Sequence, residues 1–220
     1  MNSPLLQLLV LAGIAVFLIL RLRNVLGTRE GFEKPQAPRD GGTGPTTRRD
    51  FEVIEGGPDR DITDHVEEDS DAAKALADMK RAEPSFMVGD FLGGARGAYE
   101  MILMAFENGE LETVKDFLDD DVYAAFAEVV EARAKEGLTI DAKFVGLREM
   151  SVVDASFDQS TGEGEVSMKF VAQLNSIVRD RGGDIIEGSD TDVHTQKDVW
   201  TFGRVMGSSD PNWRLVATGE

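Results

Sequence analysis

Hydrophobic residues follow three successive patterns along this 220-residue chain. An unbroken apolar run comes first, from Leu5 to Leu20, and no charged residue interrupts it. A polar stretch without an apolar period continues to about residue 69, and apolar residues then recur at helical spacing. After Gly137 the spacing changes to alternation, which is typical of strands. These patterns predict an N-terminal apolar segment, a linker and one α+β domain.

The apolar run has the composition of a membrane-spanning helix. Twelve of its sixteen residues are Leu, Ile, Val or Phe. Each favours insertion by about 0.3–0.6 kcal/mol, which gives on the order of 5 kcal/mol in total. A cleaved signal peptide would have basic residues before the run, a buried core helix would have a polar face, and a mitochondrial transit peptide would be amphipathic and Arg-rich. The run matches none of these alternatives, and we predict an uncleaved transmembrane anchor over residues 1–26.

Charge sets the expected orientation of this anchor. Arg21 and Arg23 follow the run directly, and no basic side chain precedes it. Sixteen helical residues span about 24 Å against a hydrocarbon core of about 30 Å. We therefore expect both arginines to act as membrane-flank anchors while Leu22, Val25 and Leu26 extend the span. The positive-inside rule then places the N-terminus outside and the soluble domain in the cytoplasm, and the lack of a transit peptide favours a bacterial inner membrane.

Residues 27–84 have the composition of a flexible linker. Five of the seven prolines lie there, together with several glycines and many acidic residues. Such a segment buries too little apolar surface to offset its ordering entropy. From Ser70 to Arg81 the residues are strong helix formers, so we expect one short helix near 70–81.

The remaining residues, 85–220, predict helices first and strands afterwards. Ser85 is the expected N-cap of a long helix that ends at Asn108 and Gly109. Two more helices are expected over about 110–118 and 122–135. Strands are then predicted around alternating residues at Ile140–Phe144, Val166–Leu174, Trp200–Phe202 and Trp213–Ala217, with turns at 158–162, 181–183 and 207–211. This order indicates helices packed on one face of an antiparallel sheet.

Charge and composition argue against several kinds of chemistry. The net charge is −18, and residues 1–39 are the only basic part, with five basic and two acidic residues. An acidic domain argues against nucleic-acid binding. The chain has no cysteine and only two histidines, His65 and His194, whereas a zinc site needs about four ligands. We therefore predict no metal, no cofactor and no catalytic residue. The alternative is a small-molecule-binding or catalytic domain, with a pocket that holds a buried carboxylate and His194.

Three stretches resemble a known family. These are FLGGARGAYEMILMAFENGELETVKDFL from Phe91 to Leu118, the pair of closing segments Trp200–Arg204 and Asp210–Trp213, and LILRLRNVLGTREGFEKP from Leu18 to Pro35. The first two resemble the Tim44-like domain, and the third resembles the N-terminus of its bacterial membrane-anchored members. The resemblance thus covers residues 86–220 and the anchor, whereas the linker contains no recognisable motif.

The resemblance implies a cone-shaped fold similar to nuclear transport factor two, with helices on a curved antiparallel sheet. It also implies a scaffold role near protein translocation, with the lipid bilayer and an unidentified protein as partners. The positions that match lipid-contacting residues are Phe86, Met87, Phe91 and Leu92. Helical spacing alone favours Phe91 and Leu92 as core residues, and we expect Phe86 and Met87 to be exposed. Nothing in the chain matches the region that recruits the chaperone motor in mitochondrial members.

Overall fold

The computed structural model describes residues 59–219, and every structural statement below concerns these residues. The apolar run from Leu5 to Leu20 and the flanking Arg21 and Arg23 lie outside them. Among the helices between residues 59 and 219, none has both the length and the hydropathy that crossing a membrane requires. The anchor over residues 1–26 therefore stays a prediction.

The described chain begins with five helical segments: α1 (Arg60–Thr63), α2 (Asp71–Ala82), α3 (Val88–Asn108), a 3-10 helix (Leu111–Phe117) and α4 (Asp120–Glu136). Local sequence signals set most of their ends. Ser70 accepts a hydrogen bond from the Ala73 N–H at 3.0 Å and so caps the start of α2. Gly109 and Gly137 end α3 and α4 in the left-handed conformation, each with φ of 76°, which residues with a Cβ rarely adopt.

The first turn of α3 is capped from elsewhere in the chain rather than by Ser85. The residue at its N-cap position makes no capping bond. Instead, the Asp61 carboxylate accepts hydrogen bonds from the N–H groups of Val88 at 2.8 Å and Gly89 at 3.0 Å. Burial works against the charge of Asp61, but hydrogen bonds from Gly89, Lys80 and Val88 lower its pKa. The predicted cap at Ser85 is wrong because a distant carboxylate satisfies the free N–H groups instead.

Four antiparallel strands follow, in the order β1–β2–β3–β4 across one sheet: β1 (Thr139–Asp158), β2 (Glu163–Arg179), β3 (Ile185–Val205) and β4 (Arg214–Gly219). The three predicted turns lie between consecutive strands. The α+β class, with helices before an antiparallel sheet, is confirmed.

Two strands are much longer than their residue patterns predict. The register of β1 against β2 shifts three times, and each shift disturbs the alternation of side chains between the two faces of the sheet. The first half of β3 is exposed and, apart from Ile185, Ile186 and Val193, has no large apolar side chain, although it pairs with β2 almost throughout. His194 precedes the predicted strand at Trp200–Phe202 by six residues, but the structure places it inside β3. Hydrogen bonds between backbones define these parts of β1 and β3, and such pairing requires no particular residue pattern in an exposed segment.

The core lies between the helices and one face of the sheet. Along β2, every second residue from Val166 to Leu174 is buried, as the alternation predicts. The opposing apolar side of α3 contributes Phe91, Tyr99, Ile102 and Leu103.

The chain before residue 85 also belongs to this core. The sequence predicts that the linker ends at residue 84, whereas the structure already has two helices before that residue, α1 and α2. Ile62 is buried, and Leu76 and Met79 on α2 are inaccessible to solvent. α2 coincides with the short helix expected near 70–81, and its apolar residues are too few to reveal by themselves that the helix is packed against the sheet.

Candidate contact surface and polar cluster

Four aromatic rings pack together beneath the start of α3: Phe86, Phe91, Phe202 and Trp213. The centroid of the Phe91 ring lies 4.7 Å from that of Trp213 and 6.2 Å from that of Phe202. The Phe86 ring contacts the same Trp213 ring, with 5.7 Å between centroids. These contacts attach the connection between α2 and α3 to the last two strands.

A buried ion pair holds the same connection. Arg204 donates a hydrogen bond to the Glu83 carboxylate, and the Gly207 N–H donates a second at 2.8 Å. The Arg204 guanidinium also lies over the Trp213 ring, 5.4 Å from its centroid, and donates to the Pro211 carbonyl oxygen at 3.1 Å. The hydrogen bond from Arg204 is the largest cause that lowers the pKa of Glu83. Glu83 is therefore held ionised at the base of the predicted contact region.

The structure separates the four predicted contact residues into two groups. Phe86 and Phe91 are buried, with 5% and 6% of their surface exposed. Met87 is 42% exposed, and Leu92 is partly buried against the core. Phe86 differs from the expectation of exposure because Trp213, which is remote in sequence, covers its ring. A lipid or partner contact at this place stays a prediction, and Met87 and Leu92 are the residues that can make it.

The solvent-facing side of α3 contains three glycines near its start. Gly93, Gly94 and Gly97 are exposed, and a Cβ added to any of them would meet no heavy atom within 4 Å. Met101 lies farther along the helix and is 39% exposed. Met87 and Met101 therefore have nearly equal exposure, roughly 21 Å apart along the helix axis.

Ionisable side chains meet where the end of α3 lies beside α4 and β3. The side chains of Glu107 and Arg133 are only 17% and 16% exposed, and their nearest charged atoms lie 4.0 Å apart. The Arg133 guanidinium lies over the Phe106 ring, 4.6 Å from its centroid. Burial raises the pKa of the Glu107 carboxyl. Electrostatic interactions with Arg133 and His194 oppose this shift, and the interaction with Asp198 adds to it. The structure thus brings His194 and two carboxylates into one electrostatic neighbourhood, which we name the polar cluster.

Tyr99 connects the polar cluster to the core. Its ring stacks on Phe170 with 4.1 Å between centroids, and its hydroxyl donates a hydrogen bond to Asp198 at 2.6 Å. Burial, and then the charge of Asp198, raise the pKa of Tyr99 well above its usual range, so the hydroxyl remains a donor. The sequence contains one signal for this cluster, because Glu107 lies four residues after Leu103 and eight after Tyr99, on the apolar stripe of α3.

The two histidines lie apart in the fold. His65 lies between α1 and α2, whereas His194 lies in β3. Within residues 59–219, no three His, Cys, Asp or Glu side chains are grouped so that they could hold a metal ion. The expected lack of a metal, a cofactor and a nucleic-acid partner stays a prediction.

An open groove of about 560 Å³ lies between the 3-10 helix and α4. Its floor is apolar and consists of Leu111, Ala127, Val130 and the ring of Tyr123, and its rim contains three exposed glutamates, Glu110, Glu112 and Glu131. The Tyr123 hydroxyl donates a hydrogen bond to Glu112, and the Lys115 ammonium lies 5.0 Å from the centroid of the Tyr123 ring. We name this feature the acidic groove.

The fold and these surfaces define the class of the protein: an α+β domain in which helices cover one face of a four-stranded antiparallel sheet. The family model of the Tim44-like domain matches residues 72–220, and the chain therefore belongs to that family.

Curated relatives carry the same domain. The chain is 26% identical over 163 residues to the mitochondrial import inner membrane translocase subunit TIM44-1 of Arabidopsis thaliana. It is 25% identical over 151 residues to the subunit TIM44 of Homo sapiens. These matches cover 71% and 67% of this chain but only 34% and 33% of the relatives, so the chain spans about a third of their length.

Two solved structures are more distantly similar. The intermembrane space region of the chloroplast protein ARC6 is 16% identical, with a TM-score of 0.38 over 56% of this chain and 88% of that one. A periplasmic fragment of TraM is 11% identical, with the same TM-score over 56% and 92%.

Proposed function

We propose that this protein is a membrane-tethered adaptor at a bacterial inner membrane, where it acts in protein translocation or membrane-protein biogenesis. The observation that carries the proposal is a Tim44-like domain preceded by an uncharged sixteen-residue apolar run with arginines behind it. The curated relatives are named as subunits of an inner-membrane import translocase. A tether keeps the domain at high local concentration beside its partners.

In this proposal the chain crosses the bilayer once, with its N-terminus outside and the domain in the cytoplasm. The domain adopts the cone shape of its family and contacts lipid or a protein partner through the start of α3. Residues 27–58 separate the two parts, and their composition favours a flexible connection.

Membrane extraction tests the tether. In the proposed anchor, Leu11→Arg with Val16→Arg adds about 5–7 kcal/mol of insertion penalty in total and removes two favourable contributions, which together outweigh the roughly 5 kcal/mol gained by the run. The unaltered chain should stay in the membrane pellet at alkaline pH, and the double variant should appear in the supernatant. Leu11→Ile with Val16→Ile is the matched control and should stay in the pellet. An unaltered chain that washes off the membrane contradicts the proposal.

A pair of methionines tests the contact surface. A photocrosslinking amino acid at Met87 should label lipid or one reproducible protein in intact cells. The same probe at Met101, on the same helix and with nearly equal exposure, is the matched control. Equal labelling from both positions would show that exposure alone, rather than a specific contact, determines the products.

The polar cluster favours a second candidate function, the binding or conversion of a small molecule. Glu107 is mostly buried, has a raised pKa and lies within electrostatic range of His194 and Asp198, which is a common arrangement in functional sites. Compounds that raise the melting temperature of the unaltered chain should then lose their effect on Glu107→Gln and keep it on Glu100→Gln, an exposed position of the same helix. A screen without any such compound counts against this function.

A further inference from the structure

The acidic groove has the properties of a binding site for a basic amphipathic segment. Its apolar floor is open to solvent, since Tyr123, Ala127 and Val130 on α4 are only partly buried. Glu110, Glu112 and Glu131 are exposed around it. Lys135 pairs with Glu131 at 3.4 Å and Lys115 lies beside the Tyr123 ring, so the three glutamates exceed these two cations by one negative charge. An apolar floor with a negative rim fits a short helix that has apolar residues on one face and basic residues beside them.

The chain itself contains such a segment. Residues 21–29, RLRNVLGTR, include three arginines and no acidic residue. Leu22, Val25 and Leu26 have the spacing i, i+3 and i+4, which places them on one face of a helix. The residues that follow, 30–58, contain six acidic and four basic side chains, so no other part of residues 1–58 combines both properties.

We propose that residues 21–29 dock in the acidic groove, with Leu22, Val25 and Leu26 on the floor and the arginines beside the glutamates of the rim. This inference deepens the proposed function and rests on it, because it fixes the orientation of the domain on its anchor. Docking takes Leu22, Val25 and Leu26 out of the membrane span, so the anchor in this arrangement is the apolar run from Leu5 to Leu20 alone.

The length of the intervening chain permits this docking. If residues 30–58 behave as the flexible linker that their composition favours, their ends lie about 30 Å apart on average. A linker of this kind gives an effective concentration on the order of 1 mM, so even an intrinsic Kd of about 1 mM would keep the groove occupied half of the time.

Introduced cysteines test the docking in the full chain, which has no native cysteine. Val25→Cys is combined with Thr113→Cys, an exposed residue that lines the groove, and intact membranes are treated with a short bis-maleimide. The matched control combines Val25→Cys with Ser160→Cys, an exposed residue in the turn between β1 and β2. We expect the groove pair to crosslink within the chain several-fold more than the control pair.

Charge variants provide the second measurement. Glu110→Gln with Glu131→Gln should reduce the crosslink of the groove pair to the control level, whereas Glu110→Asp with Glu131→Asp should retain most of it. The inference is overturned if the groove and control pairs give equal yields, or if the Glu→Gln changes leave the yield of the groove pair unaltered. It is also overturned if Thr113→Cys captures another protein in place of the internal crosslink.

Alkaline extraction of the same samples separates this inference from the tether. If the chain stays in the membrane but gives equal yields, the docking is refuted and the anchor is supported. If the chain washes off but the groove pair crosslinks selectively, the anchor is refuted and the docking is supported.

Discussion

The exposed glycines of α3 make this helix less stable than its length and packing allow. Gly93, Gly94 and Gly97 are in helical conformation, and no atom lies near the position of a missing Cβ. Each glycine in a helix interior costs about 0.5–1 kcal/mol relative to alanine, mainly through the greater freedom of the unfolded chain. Replacing all three by alanine should therefore stabilise the domain by roughly 1.5–3 kcal/mol.

For a domain of about 160 residues, a stabilisation of this size raises the melting temperature by roughly 3–12 °C. Tryptophan fluorescence of the detergent-solubilised chain can report it, because both tryptophans, Trp200 and Trp213, lie in the domain. Thermal scans of the unaltered chain and the triple variant under identical conditions give the difference.

Gly188→Ala is the control for position. A Cβ there would lie 1.9 Å from the Ser176 carbonyl oxygen, and the residue has φ of 78°, so this substitution should lower the melting temperature. An unchanged or lower melting temperature for the triple alanine variant would refute the reasoning, since nothing within the described chain opposes those three methyl groups.

Three further substitutions test other parts of the domain, each by chemical denaturation. Asp61→Asn should destabilise the domain by about 1–2 kcal/mol. Folding lowers the pKa of Asp61, so the ionised carboxylate stabilises the domain at pH values above its ordinary pKa of 3.8. The difference in unfolding free energy between the unaltered chain and the variant should therefore narrow as the pH falls below 3.8. Arg204→Leu should cost about 1.5–3 kcal/mol, because it removes the charged hydrogen-bond donor of the largely buried Glu83 carboxylate, which keeps its hydrogen bond from the Gly207 N–H. Leu76→Ala should cost about 2–5 kcal/mol if α2 belongs to the core, whereas a loss below 1 kcal/mol would show that α2 is only loosely attached.

Local signals predicted the elements of this fold well where one residue pattern decides the structure. The apolar spacing of α3, the terminal glycines of α3 and α4 and the alternation along β2 are all found where the sequence placed them. The same reasoning missed most of β1, because three register shifts disturb its alternation. It also missed the start of β3, since that half of the strand is exposed, lacks an apolar alternation and is defined by its pairing with β2.

The candidate sites were harder to predict because their residues meet only in the folded chain. Nothing near Asp61 in sequence indicates that its carboxylate caps a helix that begins at Val88. Phe86 has no apolar period around it and is nevertheless buried by Trp213. The sequence indicates His194 as the histidine of a possible site, whereas its carboxylate neighbour Glu107 is marked only by its position on the apolar stripe of α3.

The sequence by itself determined the order of the elements, the α+β class, the family and the acidic character of the domain, because periodicity, turn residues and charge act over a few neighbouring positions. Only the tertiary structure decided which side of α3 is left to solvent, which carboxylates are buried and which groove faces outward. These properties depend on contacts between residues far apart in sequence, such as Glu83 with Gly207 and Phe86 with Trp213, and a distant contact leaves no periodic trace in either segment.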